Sequence, residues 1–248
     1  MTEKGKELVL AHLSWPEVKE LMPEIQMVLL PVGSNEQHGY NASLEMDIAL
    51  SYAVCRRVSE ELYPRVLVAP PIPWGISFHH MEFPGTITLE PETLYAILYD
   101  EVNSLHKHGF QRFLIVNGHG GNQNLVNVAT WRIKERLRVP FIGACSYFSM
   151  GLDVSVGHAG VVEVSYAMYL APHVVKQDQL TDGDMTGFES RVPKINIPFQ
   201  LLHRTRNGAL GPAIGASREY GQELAEAAIA GLKQAIEIIL EEDYTVWP

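Results

Sequence analysis

The chain of 248 residues has few cysteines, no long hydrophobic run and fewer basic than acidic side chains. Its two cysteines, Cys55 and Cys145, lie in apolar segments, so we expect two buried thiols rather than a disulfide framework. The N-terminal stretch MTEKGKELVL lacks the apolar core and cleavage-site pattern of a signal peptide. No apolar run approaches the roughly 18 residues that a membrane-spanning helix needs. These absences favour a cytoplasmic protein.

The deficit of basic residues bears on the partners of the protein. The formal net charge is −10, which argues against nucleic acid or an anionic membrane as a partner because both require a basic surface. The one short basic run, RIKERLR at 132–138, is also typical of the solvated face of a helix. The chain also lacks the Gly-x-Ser-x-Gly, Walker A and Gly-x-Gly-x-x-Gly motifs. We therefore expect a small-molecule substrate and no chemistry that depends on these three motifs.

Short apolar runs alternate with longer amphipathic segments along the chain. We predict strands at 27–32, 66–72, 113–118 and 139–148, and helices at 47–63, 92–109, 124–138, 161–170 and 218–242. Strands that alternate with helices require crossover connections, so the pattern predicts an α/β fold with a mostly parallel sheet and helices on both faces. The region 148–215 is rich in turn formers, and we interpret it as an irregular excursion over the site and as part of an oligomer contact.

Two polar loops are predicted to meet at one edge of this sheet. The loop PVGSNEQHGYNASLEMD, 31–47, follows the first strand, and the loop NGHGGNQN, 117–124, follows the strand FLIVN. In open α/β sheets, ligands bind beyond the carboxyl ends of the strands. The sequence therefore predicts a functional site where the two loops converge.

These loops and a later helix offer two histidines and three carboxylates, which suit one or two divalent metal ions. The candidate ligands are Glu36, His38, Asp47, His119 and Glu163. Glu36 and His38 are two residues apart and point the same way in an extended chain, so each could reach a different ion. Asp47 begins a predicted helix and is our candidate for a bridge between two ions. The alternative is an ordinary surface loop, with His119 only a turn residue between glycines.

Five ordered stretches resemble the creatininase (creatinine amidohydrolase) family over nearly the whole chain. They are PVGSNEQHG followed by Asp47, FPGTITL (83–89), NGHGGN (117–122), GHAGVVEVS (157–165) and GALGPAIGASREYG (208–221). The resemblance implies a single three-layer α/β domain over 1–248, often assembled as a hexamer. It also implies a pair of zinc, manganese or iron ions and the hydrolysis of C–N bonds in amides and cyclic amides.

The resemblance also assigns roles to particular residues. It places Glu36, His38, Asp47 and His119 at metal-ligand positions, with Asp47 as the bridge. It places His158 at the position of a proton-transfer histidine, for which the alternative is a structural role.

The chain also departs from creatininase itself. Creatininase carries a Tyr-Glu pair after the metal-binding histidine, and that glutamate binds the second metal, whereas Gly120 and Gly121 stand here. Glu163 is the nearest candidate for the missing carboxylate. Tyr40 replaces a histidine, and no tryptophan occurs at 148–160, where creatininase has aromatic lid residues. We therefore do not expect strict creatininase activity.

Other members of the family resemble this chain in having two glycines after the metal-binding histidine. They include a formyl-amide hydrolase of a flavin or deazaflavin precursor, a peptidase of a redox-peptide pathway and a ring-opening hydrolase of an oxidised inositol. The stretch SFHHMEFPGT places His79 and His80 just before a glycine turn, where substrate could be held. Trp74, Phe78 and His80 are the candidates for the wall of the substrate pocket. Their alternative role is in an apolar loop under the core. Asn122 could contact substrate through its amide.

We expect a hydrolase of non-peptide C–N bonds, a metal-dependent amidohydrolase whose substrate is a small polar amide, with cyclic amides among the candidates. His158 and Glu163 are the expected catalytic residues. One alternative is a ring-opening hydrolase of a keto-inositol-type sugar. Another is a non-catalytic member that binds a small molecule and keeps metal for structure. A binuclear site with an open coordination position would favour hydrolysis, and a closed single site would favour structure.

Overall fold

The computed structural model describes residues 8–188 and 197–242. Five strands in these ranges form one sheet in which every neighbouring pair is parallel, in the order β1-β3-β2-β4-β5. They are β1 (Leu8–Val9), β2 (Met27–Val32), β3 (Val66–Val68), β4 (Arg112–Asn117) and β5 (Phe141–Ser146). The parallel sheet predicted from the alternating pattern is confirmed.

Six α-helices connect or follow the strands in the described ranges. They are α1 (Trp15–Leu21), α2 (Met46–Glu61), α3 (Pro91–Lys107), α4 (Gln123–Leu137), α5 (Val161–Leu170) and α6 (Arg218–Glu241). The predicted bounds of α2 to α6 are right to within two residues. Apart from α5, the region 148–215 consists of bends and short 3-10 turns in its described part. None of the described helices has the length and apolar character needed to cross a bilayer.

Three parts of the sequence prediction need correction. The strand predicted at 66–72 ends at Val68, because the prolines that follow cannot donate ladder hydrogen bonds. Neither β1 nor α1 was predicted. β1 has two residues and shows no periodicity, whereas α1 begins at a capping signal in which the Ser14 amide donates to the Glu17 carboxylate at 2.7 Å. Cys55 is buried as expected, but Cys145 on the edge strand is only half-buried.

Alternate residues of the central strands pack into two separate cores. Met27 and Leu29 of β2 join the core that contains α2, α5 and α6. Val28, Leu30 and Val32 join the core on the other face, which contains α3 and α4. This alternation is the strand period of two, and helices on both faces complete the three-layer α/β sandwich.

The two polar loops leave neighbouring strands at the same edge. β2 and β4 are paired in register, with Val32 opposite Asn117 at their carboxyl ends. The loop from 33 to 45 and the loop from 118 to 122 therefore start side by side. The predicted convergence of these loops is confirmed.

Glu101 on α3 is a half-buried carboxylate, and its Oε2 atom has no hydrogen-bond partner among the described residues. Burial raises the pKa of Glu101 to about 7. The ordinary glutamate pKa in the unfolded chain is about 4.3. At a pH between about 4.3 and about 7, Glu101 is therefore protonated in the folded protein and ionised in the unfolded chain. Between these two values, stability falls as the pH rises.

We expect Glu101→Gln to raise the free energy of unfolding at about pH 8 by on the order of 1–3 kcal/mol, with little effect at about pH 4. The reason is that the amide carries no charge to desolvate. Urea denaturation at the two pH values measures the effect. Asp100→Asn changes an exposed carboxylate of the same helix and is the matched control. A Glu101→Gln difference that does not depend on pH would contradict the assignment.

Candidate metal centre

The loop after β2 turns Glu36 and His38 into the protein. The Glu36 amide donates to the Leu44 carbonyl at 3.0 Å, and Asn35 and His38 make isolated bridges to other loop residues. Both functional side chains are buried. Asp47 lies in the first turn of α2, where its carboxylate is also buried. The backbone of one loop thus aims two of the predicted ligands at a third.

The loop after β4 places His119 against the same group. The Asn117 side chain accepts a hydrogen bond from the His119 amide at 3.1 Å and donates to its carbonyl at 2.7 Å, which fixes the turn. A Cβ atom at Gly118 would lie 2.4 Å from the Asp47 carbonyl oxygen, so glycine is required where the two loops touch. His119 Nδ1 lies 3.0 Å from Glu36 Oε2 and 3.1 Å from Asp47 Oδ2.

Asp47 stands at the centre of the arrangement. Its Oδ1 atom lies 3.1 Å from His38 Nε2, and its Oδ2 atom lies 3.1 Å from His119 Nδ1. Three groups in the described residues bring their ligand atoms within 4.8 Å of one another. They are Glu36, Asp47 and His119; His38, Asp47 and Glu163; and Glu36, His38 and His158. The first two groups share only Asp47, which is the arrangement of a carboxylate between two ions.

Hydrogen bonds orient both ligand histidines. His38 Nδ1 lies 3.1 Å from the Glu36 carbonyl oxygen, and His119 Nε2 lies 3.0 Å from the Ile76 carbonyl oxygen. Because a carbonyl only accepts, each of these ring nitrogens carries the proton. The opposite nitrogen of each ring faces Asp47 at 3.1 Å and is the atom that would bind a metal ion. A backbone carbonyl in this role is typical of histidines that bind metal.

Two buried atoms of the centre lack hydrogen bonds in the described structure, His38 Nε2 and Asp47 Oδ2. The short contact of each with its neighbour does not have hydrogen-bond geometry. Buried polar atoms are rarely left unsatisfied, because the loss of hydration costs free energy. Side chains that approach Glu36 and Asp47 at ion-pair distance within the described residues are all imidazoles. A donor set of this kind fits divalent cations.

Burial and mutual charge perturb the ionisation of these groups. Burial opposes the charge on Glu36, but His119 and the other imidazoles outweigh it and hold the pKa of Glu36 well below its usual value. Burial, with the Asp47 carboxylate, raises the pKa of Glu163 to about 7 against the opposing effect of His38. Although burial lowers it, the pKa of His38 is raised to about 9 by Asp47. The imidazoles thus occupy the electrostatic role that cations would take.

Glu163 reaches the centre from α5, on the side of His38. It lies in the first turn of this helix, and its Oε2 atom accepts a hydrogen bond from the Ala159 amide at 2.6 Å. A carboxylate could not come from position 121 with this backbone. A Cβ atom at Gly121 would lie 2.3 Å from the Ile76 carbonyl oxygen and 2.4 Å from His119 Nε2. Glu163 lies within ligand distance of His38 and Asp47, and its role as the replacement for a carboxylate at position 121 stays a prediction.

His158 lies at the rim of the same cluster. Its Nδ1 atom is 3.6 Å from Glu36 Oε1, and its ring centroid is 4.6 Å from that of His38. The Gln37 amide nitrogen lies 3.0 Å from His158 Nε2. Burial, followed by the charge of His38, holds the pKa of His158 well below its usual value, so the imidazole is neutral.

Two polar residues that support the centre were not predicted. Ser77 donates to Glu36 Oε2 at 2.6 Å and lies 3.1 Å from His119 Nε2. Gln37 donates to the Gly208 carbonyl at 3.0 Å and so connects the first loop to 208–212. A signal for Gln37 was present, since it stands between Glu36 and His38. Ser77 has no sequence signal, because it lies 41 residues from its carboxylate partner.

The predicted substrate-wall residues divide into two groups. Trp74 and Phe78 are exposed, at 43% and 41% of their surface. Phe78 lines a cavity next to the centre, whereas Trp74 does not belong to its described lining. His80 is only 2% exposed and lies 3.5 Å from Glu36 Oε1, so it supports a ligand rather than lining a pocket. Asn122 also needs correction. Its buried amide accepts from the Ile76 amide at 2.8 Å and donates to the Gly33 carbonyl at 3.0 Å, so it ties loops together.

Comparison with known proteins gives a family match over most of the chain. The family model for creatininase, creatinine amidohydrolase, matches residues 11–236. Creatinine amidohydrolase of Pseudomonas putida is 29% identical over 94% of this chain and 97% of its own. Mycofactocin precursor peptide peptidase of Mycobacterium ulcerans (strain Agy99) is 32% identical over 75% of each chain. The 3-dehydro-scyllo-inosose hydrolase of Thermotoga maritima is 25% identical over 92% of this chain and 82% of its own.

Solved structures show the same likeness. The manganese form of creatininase has a TM-score of 0.85 at 27% identity and covers 96% of this chain and 100% of its own. A creatininase variant complexed with creatine has a TM-score of 0.83 at 27% identity, again with 96% and 100% coverage. The residues matched by the family model, 11–236, include strands β2 to β5 and both loops described above.

We expect the wild-type protein to bind two equivalents of manganese or zinc, and Glu163→Gln to bind one. Asp47→Ala should lose most of the metal, because it removes the side chain that the two ligand groups share. Elemental analysis after dialysis against the metal gives the stoichiometry. Glu45→Gln changes a neighbouring carboxylate that is in none of the ligand groups and is the matched control. Retention of both ions by Asp47→Ala would exclude the bridge.

Proposed function

The chain belongs to the creatininase family, and on this premise we propose that it is a metal-dependent amidohydrolase that cleaves the C–N bond of a small polar amide. Its relatives include hydrolases of C–N bonds, and the fold is that of creatininase. The single observation that carries the proposal is the position of Asp47 between two groups of buried ligand atoms.

The proposed centre holds two divalent ions, with zinc, manganese and iron as the candidates. One ion would be held by Glu36, Asp47 and His119, and the other by His38, Asp47 and Glu163. When bound, such a pair of ions acts as a Lewis acid and lowers the pKa of a water molecule. Creatininase structures with manganese and with zinc support this choice of metals.

The residues of the chain contribute orientation and proton transfer. Ser77 donates a hydrogen bond to the Glu36 carboxylate, so the ligand does not need to reorganise during the reaction. Neutral His158 would accept a proton from the attacking water molecule and pass it to the leaving nitrogen. Its Nδ1 atom faces Glu36 and its Nε2 atom faces Gln37, so the ring is held from two sides.

The relatives differ in substrate, so they support different choices for the substrate of this protein. We propose a non-peptide amide, but the peptidase from M. ulcerans makes a peptide bond the competing substrate. The relative from T. maritima supports the second candidate, hydrolysis of a keto-inositol ring. Creatine, bound in a creatininase variant, supports a small polar ligand. The single-domain assignment, the homo-oligomer and the cytoplasmic location stay predictions.

Turnover of a substrate panel tests the proposal. The panel holds cyclic amides, formamides, short peptides and keto-inositols, each assayed with added manganese or zinc. We expect amide hydrolysis that a chelator abolishes and added metal restores. Hydrolysis of the keto-inositol alone would favour the second candidate. Two bound ions with no turnover of any member would favour a binding protein that keeps metal for structure.

We expect His158→Gln to lower kcat by about 10²- to 10⁴-fold, the usual contribution of a general acid or base. Metal stoichiometry should be unchanged, because the two ligand groups that share Asp47 do not include His158. Steady-state kinetics and elemental analysis of the same preparation separate the two effects. Loss of one ion would instead make His158 a ligand, as its group with Glu36 and His38 allows.

A further inference from the structure

A cavity of about 520 Å³ opens beside the candidate metal centre. Its wall includes Phe78, His79, Gly121, Phe199 and His203. Pockets of about 300–1,000 Å³ typically bury a drug-sized ligand. The cavity is therefore larger than a small cyclic amide needs, and its use is not explained by the metal ligands.

Two residues of the cavity wall, His79 and Gly121, adjoin the candidate metal centre. The His79 ring stacks on the His119 ring, with centroids 5.9 Å apart and an angle of 15° between the planes. Gly121 follows His119 by two residues and forms part of the wall. A molecule in the cavity thus contacts residues that are themselves neighbours of the proposed ligand His119.

Rings make up much of the described wall. Phe78, His79, Phe199 and His203 each present an aromatic or imidazole ring, and no lysine, arginine or carboxylate belongs to the described lining. The Arg204 guanidinium lies over the Phe199 ring, 5.5 Å from its centroid. Flat, uncharged walls of this kind favour a planar ring, because stacked and edge-to-face pairs add to the burial of apolar area.

We propose that this cavity binds a planar aromatic or heteroaromatic ring carried by the substrate, next to the C–N bond that is hydrolysed. The proposal rests on the proposed amidohydrolase function and deepens it by naming the substrate class. Phe199 and His203 then determine specificity without contacting the reacting atoms. Gln200, also in the wall, offers an amide to a polar edge of the ring.

Binding is tested first and without catalysis. Chelator-treated protein is mixed with N-benzylformamide, and saturation-transfer NMR reports which ligand protons contact the protein. We expect saturation of the ring protons with the wild type, and a weaker effect with Phe199→Leu, which keeps apolar volume but removes the planar ring. Leu202→Ala changes an exposed residue of the 3-10 turn that follows Phe199 and is the control, with wild-type behaviour expected.

Turnover then tests selectivity on the metal-loaded protein. N-Benzylformamide is compared with N-(cyclohexylmethyl)formamide, which has a similar size but no planar ring. We expect the wild type to prefer the benzyl substrate in kcat/KM, and Phe199→Leu to reduce that preference about fivefold. Metal stoichiometry should not change. An equal preference in the wild type and Phe199→Leu would overturn the proposal.

The two experiments separate this inference from the proposed function. If no amide is hydrolysed but the ring protons still show Phe199-dependent saturation, the hydrolase assignment fails and the ring-binding cavity stands. If amides are hydrolysed but no ring contact is seen, the cavity assignment fails alone. Absence of binding together with a change in oligomeric state of Phe199→Leu would assign the cavity to a contact between copies and also overturn the proposal.

Discussion

The buried carboxylate of Asp47 is the feature on which the candidate site depends. It contacts His38 through one oxygen and His119 through the other, each at 3.1 Å. These histidines come from different loops, so the carboxylate can meet both only if β2 and β4 are neighbours and α2 begins directly above them. The contact of Asp47 with both histidines therefore requires the observed strand order, the start of α2 and the conformations of both loops. Burying this charge also demands compensation, which imidazoles supply only in part.

Gly33 and Gly118 are needed because backbone segments approach each other closely at the site, and not because the chain must be flexible there. Gly118 touches the backbone of Asp47, and Gly33 touches the backbone of Ile48, at distances that exclude any Cβ atom. Each glycine lies beside a strand end, where the chain turns from the sheet into the site. The pattern of small residues thus reflects packing of backbone against backbone. A larger side chain at either position would separate Asp47 from His119.

The fold was predictable because its signals are local, whereas the support of the site is not. Apolar runs and helix periods gave α2 to α6 and the central strands, and strand adjacency then placed Glu36, His38 and His119 together. Ser77 could not be predicted, because its partner is distant in sequence. His80 and Asn122 were assigned to substrate from their place beside a glycine turn, but burial and internal hydrogen bonds make them structural. Exposure is a property of the folded chain and has no short-range signature.

The proposed replacement of a ligand would change the space available to substrate as well as the metal centre. With Glu163 on α5 as the proposed ligand, position 121 needs no carboxylate, and its backbone lies against Ile76 and His119. That same glycine forms part of the wall of the cavity. A Cβ atom at Gly120 would meet no atom within 4 Å, so the chain there also borders open space. The proposed move of one carboxylate from a loop to a helix thus accounts for both a complete donor set and the room beside it.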